Sequence, residues 1–468
     1  STLFPYPTLF RSVRTILASA VLAVGLAGLS SSSSAATQSW SNTPSLTDFN
    51  SGTSWVSGTA PAAGDIASFN AAAVAQPNLS SSLSIAQLYF STVAASGYNL
   101  TSSGTAVKLT LTSVGSTQST AAIGSANTSG TNTINAGIVL GASAGSTQTF
   151  SQSAGGTLVL SGPIESTNAI ILNYQSTGRY VLNGANTYSG TTSVSGGADV
   201  VIGNKAAFGN STVNTSSSSN AFSASTNLTG ANLVANNFLV GGNFSVTGSN
   251  AIQFGGNFNL NAAIRQITVS NSGGTTFDGV FSNDGGGGLR LVLSNGTTTL
   301  SGTNSSFTGA FEFRGTPQLI VTSIGMSGSN SSIGAGNTIR FGSATTTQAN
   351  LRYVGTGDVS DRTIDLATST GAISIAQEGT GLLKFTQNLT VSGTGNKTFT
   401  LQGSTAGTGE IAGRITDGPG GSVISMTKAG TGMWTLSGSN SYSGGMTLAS
   451  GTLGLGHKNA LGTGALTM

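Results

Sequence analysis

The amino-acid sequence predicts an all-β solenoid, in which short strands wind into coils that stack on one another. Three observations point to it. Units of similar sequence recur along the chain, apolar and polar residues alternate with period two inside each unit, and charge is almost absent. Only 6% of the 468 residues are charged, against about 25% in an ordinary soluble domain. Glycine supplies 69 residues, and Ser, Thr and Asn fill most other polar positions.

The same composition excludes other classes. Disorder needs low hydrophobicity and high net charge, whereas this chain is 37% hydrophobic with a formal charge of +3 and a mean hydropathy of +0.14. Collagen needs Gly at every third residue, and no such period is present. Runs of good helix formers are missing, which disfavours an α/β solenoid. Uneven repeat spacing disfavours a propeller or a string of sandwiches. Cysteine is absent, so disulfides and thiolate metal sites are excluded. No basic stripe with interleaved aromatics is visible, so nucleic acid is not an expected partner.

The chain opens on residues 1–12, STLFPYPTLFRS, which resemble translated linker or adapter sequence and are set aside. Residues 13–36 read as a secretory signal: Arg14, the apolar run Ile16–Leu29 and the small-residue exit Ser30–Ala36. The run is 14 residues long, short of the roughly 20 needed to span a bilayer. Ser34 and Ala36 fit cleavage after Ala36. With Arg11 and Arg14 outside the mature chain, its net charge is near +1. No later stretch is apolar enough for a transmembrane helix. The expected location is therefore extracellular or on a bacterial cell surface.

Residues 37–468 are expected to form the solenoid. Clear units lie near 178–213, 296–321 and 426–466. Gly184, Asn186, Tyr188, Ser189, Gly190 and Gly197 map onto Gly438, Asn440, Tyr442, Ser443, Gly444 and Gly451 at a constant offset of 254. After a single-residue indel, Lys205, Ala207 and Gly209 map onto Lys458, Ala460 and Gly462. The third copy is looser, with Phe307 in place of the tyrosine. Half-copies lie at Leu158–Ile164, Phe277–Phe281 and Gly409–Ile415. Within a unit, Trp434 and Leu436 alternate with Thr435 and Ser437, Met446 and Leu448 flank Thr447, and Leu453 and Leu455 flank Gly454. Each triplet reads as a short strand with one buried face, separated from the next by Gly- or Asn-Ser-Gly turns. Three strands and three bends make about one coil of a three-sided solenoid.

The ordered pattern G-x-x-x-L-x-G-x-N-x-Y-S-G, a short strand, then G-T-L resembles the autotransporter-associated β-strand repeat. Gly432–Leu453, preceded by Met426–Gly430, fits it best. Gly178–Gly197 fits nearly as well, with Ala198-Asp199 replacing Thr-Leu. Leu351–Ile364 resembles the segment that precedes such repeats, and Trp55, Pro61 and Gly64–Asn70 resemble the opening coil. The resemblance implies a right-handed parallel β-helix, exported and held at the outer membrane or released. It further implies adhesive, aggregative or scaffold roles. Autotransporters end in a translocating β-barrel, whereas this sequence stops at Met468 inside a repeat, which leaves the export route open.

A catalytic reading finds little to stand on. His457 is the only histidine, sits in a Gly-His-Lys-Asn turn, and has no G-x-S-x-G serine to serve. Asp358, Asp361 and Asp365, beside Arg352 and Arg362, form the densest acidic group. Paired carboxylates can hydrolyse glycosides or bind Ca²⁺, but here a turn carboxylate and an Asp361–Arg362 ion pair are the expected roles. Asp278 and Asp284 stand alone in Gly-rich turns, and Asp65 fits a turn of the family pattern. Gly285–Gly288 lack the Lys-Ser/Thr of a phosphate loop. The Asn-x-Ser/Thr triplets at Asn78, Asn99 and Asn388 are expected by chance. Tyr188, Tyr442 and Trp434 are expected to pack inward rather than stack on sugars. No catalytic, cofactor-binding or metal-binding residue is therefore assigned, and no cofactor. The expected partners are extracellular glycans, surfaces or other copies of the chain. The competing reading is a β-helical scaffold that binds or degrades polysaccharide.

Overall fold

The computed structural model describes residues 35–283, 285–346 and 348–468. Residues 1–12, the leader up to Ser34 and Asp284 lie outside the described residues. Thr37–Met468 form one compact unit. It is a β-solenoid of about 17 turns, and the expected all-β class holds. Its strand ladders run parallel throughout. Its helical content among the described residues is confined to short 3-10 turns such as Gly52–Ser54 and Gly230–Asn232.

Each coil visits three faces in the same order. The first face carries an 11-stranded ladder from Thr37–Ser39 to Phe281–Ser282, and resumes as five strands from Asp358–Ser360 to Thr452–Leu455. On the second face, 13 strands run from Asn78–Leu79 to Thr363–Leu366. The third has four strands from Leu83–Ile85 to Ile164–Ser166, then ten from Ile252–Phe254 to Leu466–Thr467. Each face is thus interrupted somewhere, and each at a different height.

The interruptions coincide with the repeat units. The lead strand of the first unit, Arg179–Leu182, lies on the second face, so its Asn-x-Tyr corner falls on the third. For the middle unit, Thr298–Leu300 lies on the third face and the corner on the first. In the last unit, Met433–Leu436 lies on the first face and the corner on the second. Successive units therefore advance by one face, and the uneven spacing read in the sequence is the signature of that advance.

Period-two alternation delivers the core. Leu100, Ile134, Leu160, Leu182 and Ile202 face one another in register across successive coils, and all are buried. In the middle of the solenoid, phenylalanines replace aliphatics. Phe238 stacks on Phe258 at 4.8 Å between ring centroids, and Phe258 on Phe281 at 4.9 Å. Identical rings one coil apart stack because the ladder sets their spacing near the strand separation of about 4.8 Å.

The first coil is covered. Ser54–Val56 runs antiparallel along Ser39–Ser41, with Ser41 N–H donating to Ser54 O and Val56 N–H to Ser39 O. Trp40, Phe49, Trp55 and Phe69 pack over the core there, and the Trp55 indole donates to Phe49 O at 2.9 Å. Two edge groups, Ser41 N–H and Ser39 O, that could otherwise template foreign pairing are thereby occupied. In the final unit the alternation holds only in part. Trp434, Leu436 and Met446 are buried, but Leu453 is half-buried and Leu455 is 57% exposed although it stands in register with Leu436. No described coil stacks above Leu455, and an inward-pointing position is buried only by the next coil.

Phe258→Ala is expected to lower stability by about 3–5 kcal/mol, the usual cost of emptying a buried aromatic site. Leu455→Ala should cost less than about 0.5 kcal/mol, as exposed positions do. Chemical denaturation of the two variants checks both.

Candidate functional site at the repeat corners

The corner residues shared by the units replace missing ladder bonds. Asn186 Oδ1 accepts the Ile164 N–H of the coil below at 2.8 Å, while its Nδ2 donates to Ala207 O of the coil above at 2.6 Å. Asn440 does the same with Ile415 N–H (2.9 Å) and Ala460 O (2.7 Å). In the middle unit Ser305 Oγ accepts Phe281 N–H at 2.9 Å, a substitution that sequence matching missed because a hydroxyl stands where the others carry a carboxamide. Tyr188, Tyr442 and Phe307 are fully buried beneath Gly209, Gly462 and Gly334, whose φ values are 54°, 71° and 82°. A Cβ at any of these glycines would collide with the ring or its backbone, so the close approach requires glycine. Tyr188 and Tyr442 therefore cannot stack on a ligand. Nor can Trp434, which is buried against Gly409 and donates its indole N–H to Gln402 O at 2.8 Å.

The two tyrosines differ at one atom. Tyr188 Oη hydrogen-bonds Thr192 Oγ1 at 2.7 Å, which continues to Ser211 Oγ at 2.6 Å. Met446 stands where Thr192 would, and the buried Tyr442 hydroxyl has no hydrogen-bond partner among the described residues. Burial pushes both phenols up to about 12.

The acidic group of the sequence is dispersed into anchoring roles. Asp358 Oδ2 accepts Ile324 N–H at 2.9 Å, and Asp361 accepts the N–H and the hydroxyl of Ser327. Those two bonds hold the Asp361 carboxyl below its ordinary value. Asp365 takes the Ser392 N–H at 3.1 Å and hydroxyl at 2.8 Å, and Arg352 pairs with Glu378 at 2.7 Å. The Asp361–Arg362 ion pair expected from sequence is not among those formed by the described residues. Arg362 is instead 0% exposed and donates to the carbonyls of Gly325, Met326, Ser329, Gly334 and Gly336. Burial pulls its pKa down to about 10, against the opposing pull of Asp361 and Asp358. A guanidinium presents five N–H donors in a rigid fork, which suits a ring of carbonyls; here it pins residues 325–336 where the first face is interrupted. Lys428, within the lead-in to the last unit, is likewise 0% exposed and donates to Ala429, Gly430 and Ser450 carbonyls.

His457 Nδ1 accepts the Asn459 N–H at 3.0 Å, the same turn-capping task that Asn204 performs for Ala206 N–H at 2.9 Å. Asp65 caps Ala62 N–H, and Asp278 binds Gln253 and Ser301. Asn78 and Asn99 are engaged by Ser103 and Asn135, and Asn388 accepts Arg414 N–H. Among the described residues no three metal-ligating side chains gather at one point, and no helix is long and apolar enough to cross a membrane.

One concave surface lies just above the first repeat corner. The segment 226–237 arches outward between Leu228 and Val234, both buried and bridged to Ile252 and Phe254. Under it is a cleft of about 550 Å³ lined by Lys205, Asn210, Thr212, Asn236 and Asn237, among others. A second cleft of about 260 Å³ also has Lys205 in its lining, with Asn204, Asn227 and Asn232. Lys205 Nζ donates to Ala231 O at 3.0 Å, and Asn236 Nδ2 ties the far wall to Gly209 O and Ser211 O. Neither lining includes a carboxylate. Sequence reading matched Lys205 to Lys458 but missed the cleft, because the arch comes from the following coil.

Residues 172–198 and 426–455 match the passenger-associated-transport-repeat family, so these two segments, at the first and last units, are repeats of the autotransporter-associated kind. A stretch of 188 residues is 35% identical to the Adhesin BmaC autotransporter of Brucella suis biovar 1 (strain 1330). The match takes in 38% of this chain and 5% of that much longer protein. No solved structure matches the chain.

Tyr188→Phe is expected to destabilise by about 1 kcal/mol, because it removes one bond from the buried chain Tyr188–Thr192–Ser211–Phe208 O while leaving the others intact, whereas Tyr442→Phe should be neutral or slightly stabilising. Both phenols are raised in the folded state, so the stability they confer is intact below pH 10 and is lost as pH climbs from 10 to 12. Melting temperatures between pH 8 and 12 should fall above 10, and less steeply in either variant. Arg362→Met should cost about 3–5 kcal/mol, as when a buried charge network loses a member, and limited proteolysis should then cut within 325–336.

Proposed function

We propose that this passenger-repeat solenoid is exported and displayed on, or released from, a bacterial surface, where it serves as a non-catalytic adhesive passenger. Residues 13–36 direct the export and are removed after Ala36. Glycans, surfaces and other copies of the chain are its partners. The observation that carries this reading is how the polar side chains are used. Asp65, Asp278, Asp358, Asp361, Asp365 and His457 each hold a turn, a strap or a neighbouring coil. Outward positions include columns of small polar residues repeated from coil to coil, such as Asn173, Ser193 and Asn214. Such repetition favours many weak contacts acting together, whose joint strength exceeds that of any one. The likeness to an adhesin autotransporter supports the same reading.

Bacteria displaying the chain should attach to glycan-coated or abiotic surfaces more than cells lacking it. The purified chain should release no sugar ends from a polysaccharide panel. Release of new reducing or unsaturated ends would replace this reading with that of a polysaccharide-degrading β-helix. Export is checked separately: a reporter fused behind residues 1–36 should leave the cytoplasm, and its mature N-terminus should begin at Thr37.

A further inference from the structure

We infer that the pair of clefts sharing Lys205 binds an acidic polysaccharide, with a uronate carboxylate on the Lys205 ammonium and sugar hydroxyls on the surrounding amides and hydroxyls. The inference rests on the adhesive reading above and names the ligand class of one site within it.

Charge is scarce in this chain, and most cations are already committed. Lys108, Arg179, Arg290, Arg340, Arg352 and Lys384 pair with carboxylates, while Arg362, Lys397 and Lys428 are buried among carbonyls. Lys205 is exposed, and among the described residues its ammonium donates to a neutral carbonyl, that of Ala231. An ammonium has three donors, so two remain to meet an anion. Two clefts, of about 550 and 260 Å³, share Lys205 in their linings, so its ammonium is available to a ligand seated in either. The larger cleft alone falls within the roughly 300–1,000 Å³ of ordinary ligand pockets. Its walls offer Asn210, Thr212, Asn236 and Asn237, groups that both donate to and accept from hydroxyls, and they bring no carboxylate to repel an acidic sugar. The arch is held in place by inward Leu228 and Val234 and by the Asn236 bonds, so little ordering is required on binding. Lys458 supplies an internal control: it holds the matching position in the last unit, is exposed, and lines neither cleft.

The test uses the full chain with oligogalacturonate and with its methyl ester, which keeps the backbone but removes the charge. Calorimetry should show the acid binding about tenfold more tightly than the ester, the worth of one hydrogen bond to a charged group. Lys205→Gln should erase that preference, Lys205→Arg should retain it, and Lys458→Gln should leave it unchanged. Asn237→Asp keeps the acceptor used by Asn257 N–H while adding a negative charge to the wall. It should weaken the acid alone, and it decides the matter even if Lys205→Gln disturbs the arch. Equal binding of acid and ester, or acid preference that survives both Lys205→Gln and Asn237→Asp, would overturn the assignment. Cells whose attachment to neutral surfaces persists while the acid preference fails would refute this site and leave the adhesive reading standing.

Discussion

Every feature of this molecule answers to one requirement: each backbone N–H and C=O must find its partner in the coil above or below. Buried main-chain polar groups left unpaired are costly, and a coil of three short strands has no internal ladder to satisfy them. Stacking supplies it. Once stacking is imposed, side chains fall into columns, inward columns fuse into one core, and outward columns repeat. Low charge follows, since like charges directly opposite in a parallel ladder repel. Where charges do stand in column, signs alternate, as with Arg290, Glu312, Arg340 and Asp365 on the second face.

The repeat corner is where this requirement is met by other means. At each corner one face loses its strand, and a carboxamide or hydroxyl takes over the lost bonds: Asn186, Ser305 and Asn440. An aromatic ring fills the space beneath, closed by a glycine in the left-handed region. The unit is thus better understood as a corner that relocates than as a coil that repeats. Because successive corners occupy different faces, no single face carries an unbroken ladder from one end to the other.

Polar chemistry that looks functional in the sequence is mostly absorbed by the same task. Arg362 gathers carbonyls from a strap that has no ladder, and Lys428 does so at a turn. These cations substitute for strand partners. The contrast gives Lys205 its interest. It ties one carbonyl of an exposed arch and faces two open clefts, so its charge is only partly used in holding the fold.

The sequence by itself determined the fold class, the stacking units and the burial of their alternating residues, because a period of two has one structural meaning when turns bound it. It placed Tyr188, Tyr442 and Trp434 inside and His457 in a turn. Relations between coils were beyond its reach. The one-face advance of the units, the bonding of Arg362 to carbonyls rather than Asp361, and the cleft at Lys205 all depend on residues about a coil apart or more. Sequence reports spacing along the chain, whereas these features are set by register across it. Only the tertiary structure fixes that register, since each coil's length decides which residue stands above which.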